Sequence, residues 1–435
     1  MRPRRLDPPR LALTPELRWV VLRAWGPTAC PFDGTVRGPE VLELARRLAL
    51  ASRIGVRQPR ELLFDELGYE AARDLFRAAV AAAALFEDVR QVVRVVGEAA
   101  IGAVPAIVLK GAALVLAGTT PLGARRMSDL DILVDADALQ ATRDLLQPMG
   151  FRAPDLPDSE HYAVPLLHRR WGGVELHTCL PGVRLGRNGD DATARDLADA
   201  GLLQPLEGAP GVCVPARRVL LAHVLVHGLN QHLLAPSAYP PARVLSDLAD
   251  LEFCEADVEG VWTWLTATVA REELISAARL VRALVGGDIA GIERDSGADV
   301  LLRHVIAGAT DDAYARSLRV RNVVSNGSGS VAGRFFRGAW GAIAKTPKEM
   351  EVIYGGPRSS LWHAFARLWR PLDIAFVRLP RYLMAGLRFR LQRRRQDAAT
   401  LDFRGCGAAT LGPAHRRLRA SRGLSSDEGR RGRRR

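Results

Sequence analysis

Lysine is nearly absent from this chain. Only Lys110, Lys345 and Lys348 stand against 58 arginines in 435 residues. A skew of that size reads as the imprint of a GC-rich genome rather than as selection for phosphate binding. Cysteine is scarce too. The five (Cys30, Cys179, Cys213, Cys254, Cys406) are scattered, odd in number and never paired as CxxC. That argues against a zinc knuckle or a disulfide framework and fits a reducing cytoplasm. Long apolar runs are missing: the best stretch, Leu372 to Leu387, is broken by Asp373, Arg378, Pro380 and Arg381. No transmembrane segment is therefore expected. The N-terminal MRPRRLDPPR lacks an apolar stretch, so no secretory signal is expected.

What is present begins with charge. The formal net charge is +13, which invites a nucleic-acid reading. Its distribution argues otherwise. Residues 388–435 carry 15 arginines against Asp397, Asp402, Asp427 and Glu428, so +11 sits in the tail and +2 in the rest. No nucleic-acid surface is expected on the folded body. The tail is read as disordered and solvated, with weak contact to nucleic acid or an anionic membrane as the other reading. With 48% hydrophobic residues, the chain has the material for a sizeable core.

Helical periodicity runs through Glu16–Trp25, Glu40–Ser52 and Tyr69–Ala100. The pattern changes at Ala106. Ala106 to Leu109 is a short apolar run that predicts a buried strand, followed by Lys110-Gly111 and a short helix over 112–117. Leu130 to Val134 predicts a second strand, and Asp137 is placed as the N-cap of a helix over 138–147. His161 to Leu180 reads as a hairpin turning at Trp171-Gly172-Gly173. Helical periodicity returns over 215–285, and Ser325 to Gly333 is a Gly/Ser-rich linker. Strand, helix, strand, helix, strand, strand within some 75 residues suggests a small α/β sheet domain.

The chemistry centres on Ser128-Asp129-Leu130-Asp131-Ile132-Leu133-Val134. Side chains alternate along a strand, so Asp129 and Asp131 share a face, about 7 Å apart by the usual rise, while Leu130 and Ile132 enter the core. Two such carboxylates can hold a hard divalent cation. An acidic pair at a strand end is commonly just solvated, but the context here is richer. A strand ending in Lys-Gly precedes it. A later strand carries Glu175 and His177 on one face. Three carboxylates on neighbouring strands suit metal-assisted phosphoryl transfer.

These strings carry a resemblance. VLKGAAL, GARRMSDLDILVDADAL, LLQPMGF and GVELHTCL resemble an uncharacterised family of nucleotidyltransferases in the DNA polymerase β superfamily. LLAHVLVHGLNQH (220–232) and RVLSDLADLE (243–252) are similar to that family's His-containing and Asp-containing helices, and PKEMEVIYGG fits loosely. The resemblance covers roughly residues 40 to 385. It implies an α/β (α+β) nucleotidyltransferase core with a small mixed sheet at 101–185. A helical region lies before it (1–100), a helical C-terminal domain after it (186–390) and the Arg-rich tail last (391–435).

By the same resemblance Asp129 and Asp131 are the metal ligands for Mg²⁺ or Mn²⁺, and Glu175 is either a third ligand or the base for the acceptor hydroxyl. Lys110, Gly111, Arg125, Ser128 and His177 are the expected nucleotide-binding residues, with an NTP, ATP foremost, as substrate. Two departures stand out. Ala112 replaces the serine of the usual Gly-Ser turn, and the gap from Gly111 to Asp129 is longer than in compact members of the superfamily.

Each residue has a plainer reading beside it. Lys110 is either a phosphate ligand or a solvated strand end. Arg125 and Arg126 fit an ordinary charged loop. His177 either contacts nucleotide or is a strand histidine with a structural partner. His223 and His227 are spaced i, i+4, but Val224 takes the place of a metalloprotease glutamate, so packing or hydrogen bonding is favoured. The function expected is transfer of a nucleoside monophosphate to a hydroxyl on a small molecule, peptide or protein. The competing reading is a non-catalytic nucleotide-binding protein on the same fold.

Overall fold

The computed structural model describes residues 8, 13–28, 30–100, 104–127, 129–152, 163–168, 172–185, 190–231, 241–265, 269–312, 314, 315 and 318. Ser128, the linker at 325–333, the stretch 347–356 and the Arg-rich tail lie outside them.

Five helices come first: α1 (Pro15–Trp25), α2 (Gly38–Arg47), α3 (Ala51–Arg57), α4 (Arg60–Leu67) and α5 (Tyr69–Ala100). The Thr14 side chain caps α1 by accepting from the Leu17 amide at 3.3 Å, and Pro15 stands in the first turn, where no amide is needed. The periodic run over 40–52 is two helices rather than one. Ala49 between them takes a left-handed backbone at φ 60°, which a continuous helix cannot hold.

Strand β1 (Ala106–Val108) leads directly into α6 (Lys110–Leu116), and β2 (Asp129–Leu133) follows a loop. Gly123 in that loop has φ 85°, and a Cβ there would stand 2.8 Å from the Ala79 carbonyl of α5, so glycine is required twice over. After β2 the expected cap shifts by two residues. Asp135, not Asp137, accepts from the Asp137 amide at 3.2 Å and caps a 3₁₀ turn at Ala136–Ala138, which leads into α7 (Leu139–Leu146). A tighter turn precedes the α-helix, and that moves the cap upstream.

The hairpin forms as β3 (Ala163–His168) and β4 (Gly172–His177). Beyond it, β5 (Leu180–Arg184) and β6 (Asp191–Ala192) make a separate small sheet before α8 (Ala194–Asp199). Then β7 (Leu203–Pro205) and β8 (Val212–Pro215) rejoin the main sheet. The order is β3-β4-β2-β1-β8-β7, with β1–β2 antiparallel and both β2–β4 and β1–β8 parallel. The sheet thus extends past residue 185, where the sequence reading turned wholly helical. Strand β8 is only four residues long and runs almost straight into a helix, so its pattern is absorbed by the helical one.

The rest is helical: α9 (Arg217–Leu225), a π-helical turn at Val226–Gln231, α10 (Pro241–Asp250), α11 (Glu255–Leu265), α12 (Arg271–Gly286), α13 (Ile289–Arg294) and α14 (Ser296–Thr310). The fold is a mixed six-stranded sheet with helical regions before and after it, and one apolar core runs through both from Leu17 to Ile306. Among the described residues no helix is long and apolar enough to cross a membrane.

Strand alternation then sorts the two faces of the sheet. Leu130 and Val174 sit opposite each other in register and share a small cavity with Leu85, Val89 and Val92 of α5. The α5 side is therefore the apolar face. Asp129, Asp131, Glu175 and His177 alternate to the other face. On that side α6 packs against α9 and α10.

Candidate active site

Asp131 is the hub of the site. It sits in the middle of β2 and is 3% exposed. Its Cα is in register with that of Glu175 on the parallel neighbour β4, so the two carboxylates lie side by side on one face. His177, two residues on from Glu175, shares the face. Its Nε2 stands 2.9 Å from Asp131 Oδ1 and 3.7 Å from Glu175 Oε2. Lys110 comes from the other side. At the junction of β1 and α6 its backbone takes φ 50°, and its Nζ donates to the same Asp131 Oδ1 at 2.6 Å. The Leu109 amide donates to the Asp131 carbonyl at 3.0 Å, which fastens this junction to the middle of β2.

The electrostatics follow from burial and pairing. Burial opposes ionisation of Asp131, but Lys110 and the His177 hydrogen bond together outweigh it and hold the carboxyl well below the usual range. Burial likewise opposes charge on Lys110, and Asp131 outweighs it, so the ammonium is raised above its ordinary value. Glu175 goes the other way. Burial, followed by the negative charge of Asp131, pushes its carboxyl upward. Two neighbouring carboxylates thus differ in proton affinity.

The remaining expected residues divide. Asp129 lies at the exposed start of β2, on the same face as Asp131. Gly111 and Arg125 meet: a Cβ on Gly111 would fall within 2.5 Å of the Arg125 side chain, so the missing side chain is what lets the guanidinium lie against α6. Arg125 also pairs with the buried Asp247 of α10.

Two residues that sequence reasoning did not assign to the site belong to its surroundings. Asp247 is 1% exposed and anchors Arg125. Its signal was a carboxylate set within the apolar stripe of α10. His223 of α9 is buried, and burial together with the nearby charge of Lys110 drives its pKa to about 3, so it is a neutral imidazole. Its ring meets that of His227 edge to face with centroids 6.0 Å apart, and its Nδ1 has no hydrogen-bond partner among the described residues. The i, i+4 spacing flagged the pair but gave no hint that His223 lies near Asp131.

Residues 38–286 match the family described as uncharacterised nucleotidyltransferase. The chain belongs to that family. The match takes in α2 to α12, and with them the whole sheet and every site residue named above. It ends where α12 ends, short of the resemblance that the sequence suggested out to residue 385. No curated protein and no solved structure matches the chain.

Among the described residues, Asp131, Glu175 and His177 are a group able to share a cation, with one ligand atom of each within 4.8 Å of the others. The two carboxylate oxygens suit a hard divalent cation such as Mg²⁺ or Mn²⁺. Asp129 is not one of the group, but it adds a further carboxylate on the solvent side.

Proposed function

We propose that the chain is a metal-dependent nucleotidyltransferase of the DNA polymerase β superfamily. It moves a nucleoside monophosphate from an NTP, ATP foremost, to a hydroxyl on a small molecule, peptide or protein. The observation that carries this reading is the in-register meeting of Asp131 and Glu175 on parallel strands, with Lys110 and His177 converging on the same carboxylate. Membership of a nucleotidyltransferase family supports it.

In this reading Asp131 and Glu175, with Asp129 at the mouth, hold Mg²⁺ or Mn²⁺. When bound, the ion neutralises charge on the triphosphate and on the leaving pyrophosphate. His177 orients Asp131 through its Nε2–H. Lys110 and Arg125 supply positive charge for phosphate oxygens, and Gly111 provides the side-chain-free surface beside them. Glu175 is either a third carboxylate on that ion or the base that accepts the proton of the acceptor hydroxyl. The catalytic unit is the sheet with its closing strand β8, and the helices on either side shape the acceptor pocket.

The test is incubation of the protein with each labelled NTP, Mg²⁺ and a cell extract, beside the Glu175→Gln variant. Labelled product and released pyrophosphate from the wild type, and a loss of at least a hundredfold in the variant, support the assignment. Nucleotide binding without turnover of any NTP replaces it with a non-catalytic nucleotide-binding role.

A further inference from the structure

A single oxygen of the acidic cluster carries two donors. Asp131 Oδ1 accepts from the Lys110 ammonium at 2.6 Å and lies 2.9 Å from His177 Nε2. Both side chains that meet there are almost fully buried, so water does not screen the contact. Lys110 reaches the carboxylate from a left-handed backbone at φ 50°, a conformation uncommon for a residue with a side chain and one that concentrates at functional positions. A buried ion pair kept for stability alone offers little over apolar neighbours. From this geometry we infer that Lys110 is a resident counter-cation on Asp131, which a divalent ion displaces and the triphosphate then takes up.

This rests on the nucleotidyltransferase reading of the site. An ammonium and a dication cannot share Oδ1, because that oxygen's two acceptor positions are already used. An ion that approaches Oδ2 instead still meets a positive charge a few ångströms away. Either way metal alone binds weakly. Once nucleotide arrives, the ammonium gains phosphate oxygens as partners and the carboxylate is released to the ion. Lys110 thereby links metal occupancy to nucleotide occupancy, and the linkage must be reciprocal.

Two measurements test it on the full chain. The first is Mn²⁺ binding followed by electron paramagnetic resonance without nucleotide, for wild type and for Lys110→Met. The variant should bind Mn²⁺ at least tenfold more tightly, and equal affinity overturns the inference. The second needs no variant and exploits the chain's having only three lysines. Reductive methylation read by mass spectrometry should find Lys110 protected in chelator, at least fivefold more reactive in saturating Mn²⁺, and protected again when α,β-methylene-ATP is added. Unchanged Lys110 labelling while Mn²⁺ is seen to bind overturns the inference and leaves the metal site standing. Absence of Mn²⁺ binding under every condition, with nucleotide and without, overturns the metal-dependent reading as well.

Discussion

Arg53 and Asp250, 197 residues apart in sequence, form a two-pronged ion pair at 2.9 and 2.7 Å in which both side chains are at most 5% exposed. Arg53 also donates to the Ala24 carbonyl at 2.7 Å, and Asp250 accepts from Thr120 Oγ1 at 2.6 Å. Together these contacts tie α1, α3, α10 and the loop before β2 to one another. That loop carries Arg125 to Gly111, so the alignment of the site depends on a pair outside it.

Asp250→Ala strands the Arg53 guanidinium in the interior. Loss of one partner of a buried pair costs about 3–5 kcal/mol. Denaturant unfolding of the variant should show a loss of that order. A change below about 1 kcal/mol would mean that Arg53 finds water or another anion.

Asp131→Asn should abolish nucleotidyl transfer and also destabilise the protein. The sequence shows three like charges, whose mutual repulsion would make such a change cheap. The structure shows a buried ammonium that loses its counter-ion, which costs about 3 kcal/mol or more. Pairing Lys110→Met with Asp131→Leu should recover most of that stability and none of the activity. Thermal melts of the single and double variants check this, and a single variant as stable as wild type would contradict it.

Half-exposed Glu175 and buried His223 give the stability opposite dependences on pH. The folded pKa of Glu175 is raised, so its contribution is present below its ordinary value of 4.5 and is lost as pH rises through the raised value. Glu175→Gln should therefore melt higher than wild type at pH 7, with the advantage gone at pH 4. The folded pKa of His223 is lowered from 6.5 to about 3, so its contribution is present above 6.5 and is lost as pH falls toward 3. His223→Leu should flatten the fall in melting temperature between pH 6.5 and 4. Parallel melting profiles for variant and wild type would count against either assignment.

Asp135→Ala should cost about 1 kcal/mol, the usual worth of an N-cap. The partner Arg195 is largely exposed, so their ion pair adds little. Asp137→Ala, which removes an exposed side chain that caps neither the 3₁₀ turn nor α7, should leave the melting temperature within about a degree. The reverse ranking would restore the cap to Asp137.

Much of this was legible in the residues. Alternation in Asp129-Leu130-Asp131-Ile132 fixes which face is acidic, and the hairpin ending in Glu175 and His177 places a further carboxylate beside it. What sequence does not carry is register. Only the pairing of Asp131 with Glu175, one residue against one, buries Asp131 and leaves Asp129 at the mouth. Nor does local pattern reveal partners brought by distant helices. Asp247 and His223 each look like a polar lapse in an apolar helix until α9 and α10 fold over the acidic face. Strand β8 escaped for another reason: four residues are too few for a period, and its pairing is with a strand more than a hundred residues upstream.

That late pairing bears on synthesis and on how the protein can be cut. Until β8 has emerged from the ribosome, β1 has a neighbour on one side only, and its far rim of amide and carbonyl groups is open. Ala106, Ile107 and Val108 are all apolar, with no charge among them to discourage a stray strand. A fragment that stops near residue 185 would keep every candidate catalytic side chain and still present that rim to other copies of itself. Soluble, active truncations should therefore begin to be found only when the chain is carried past Pro215.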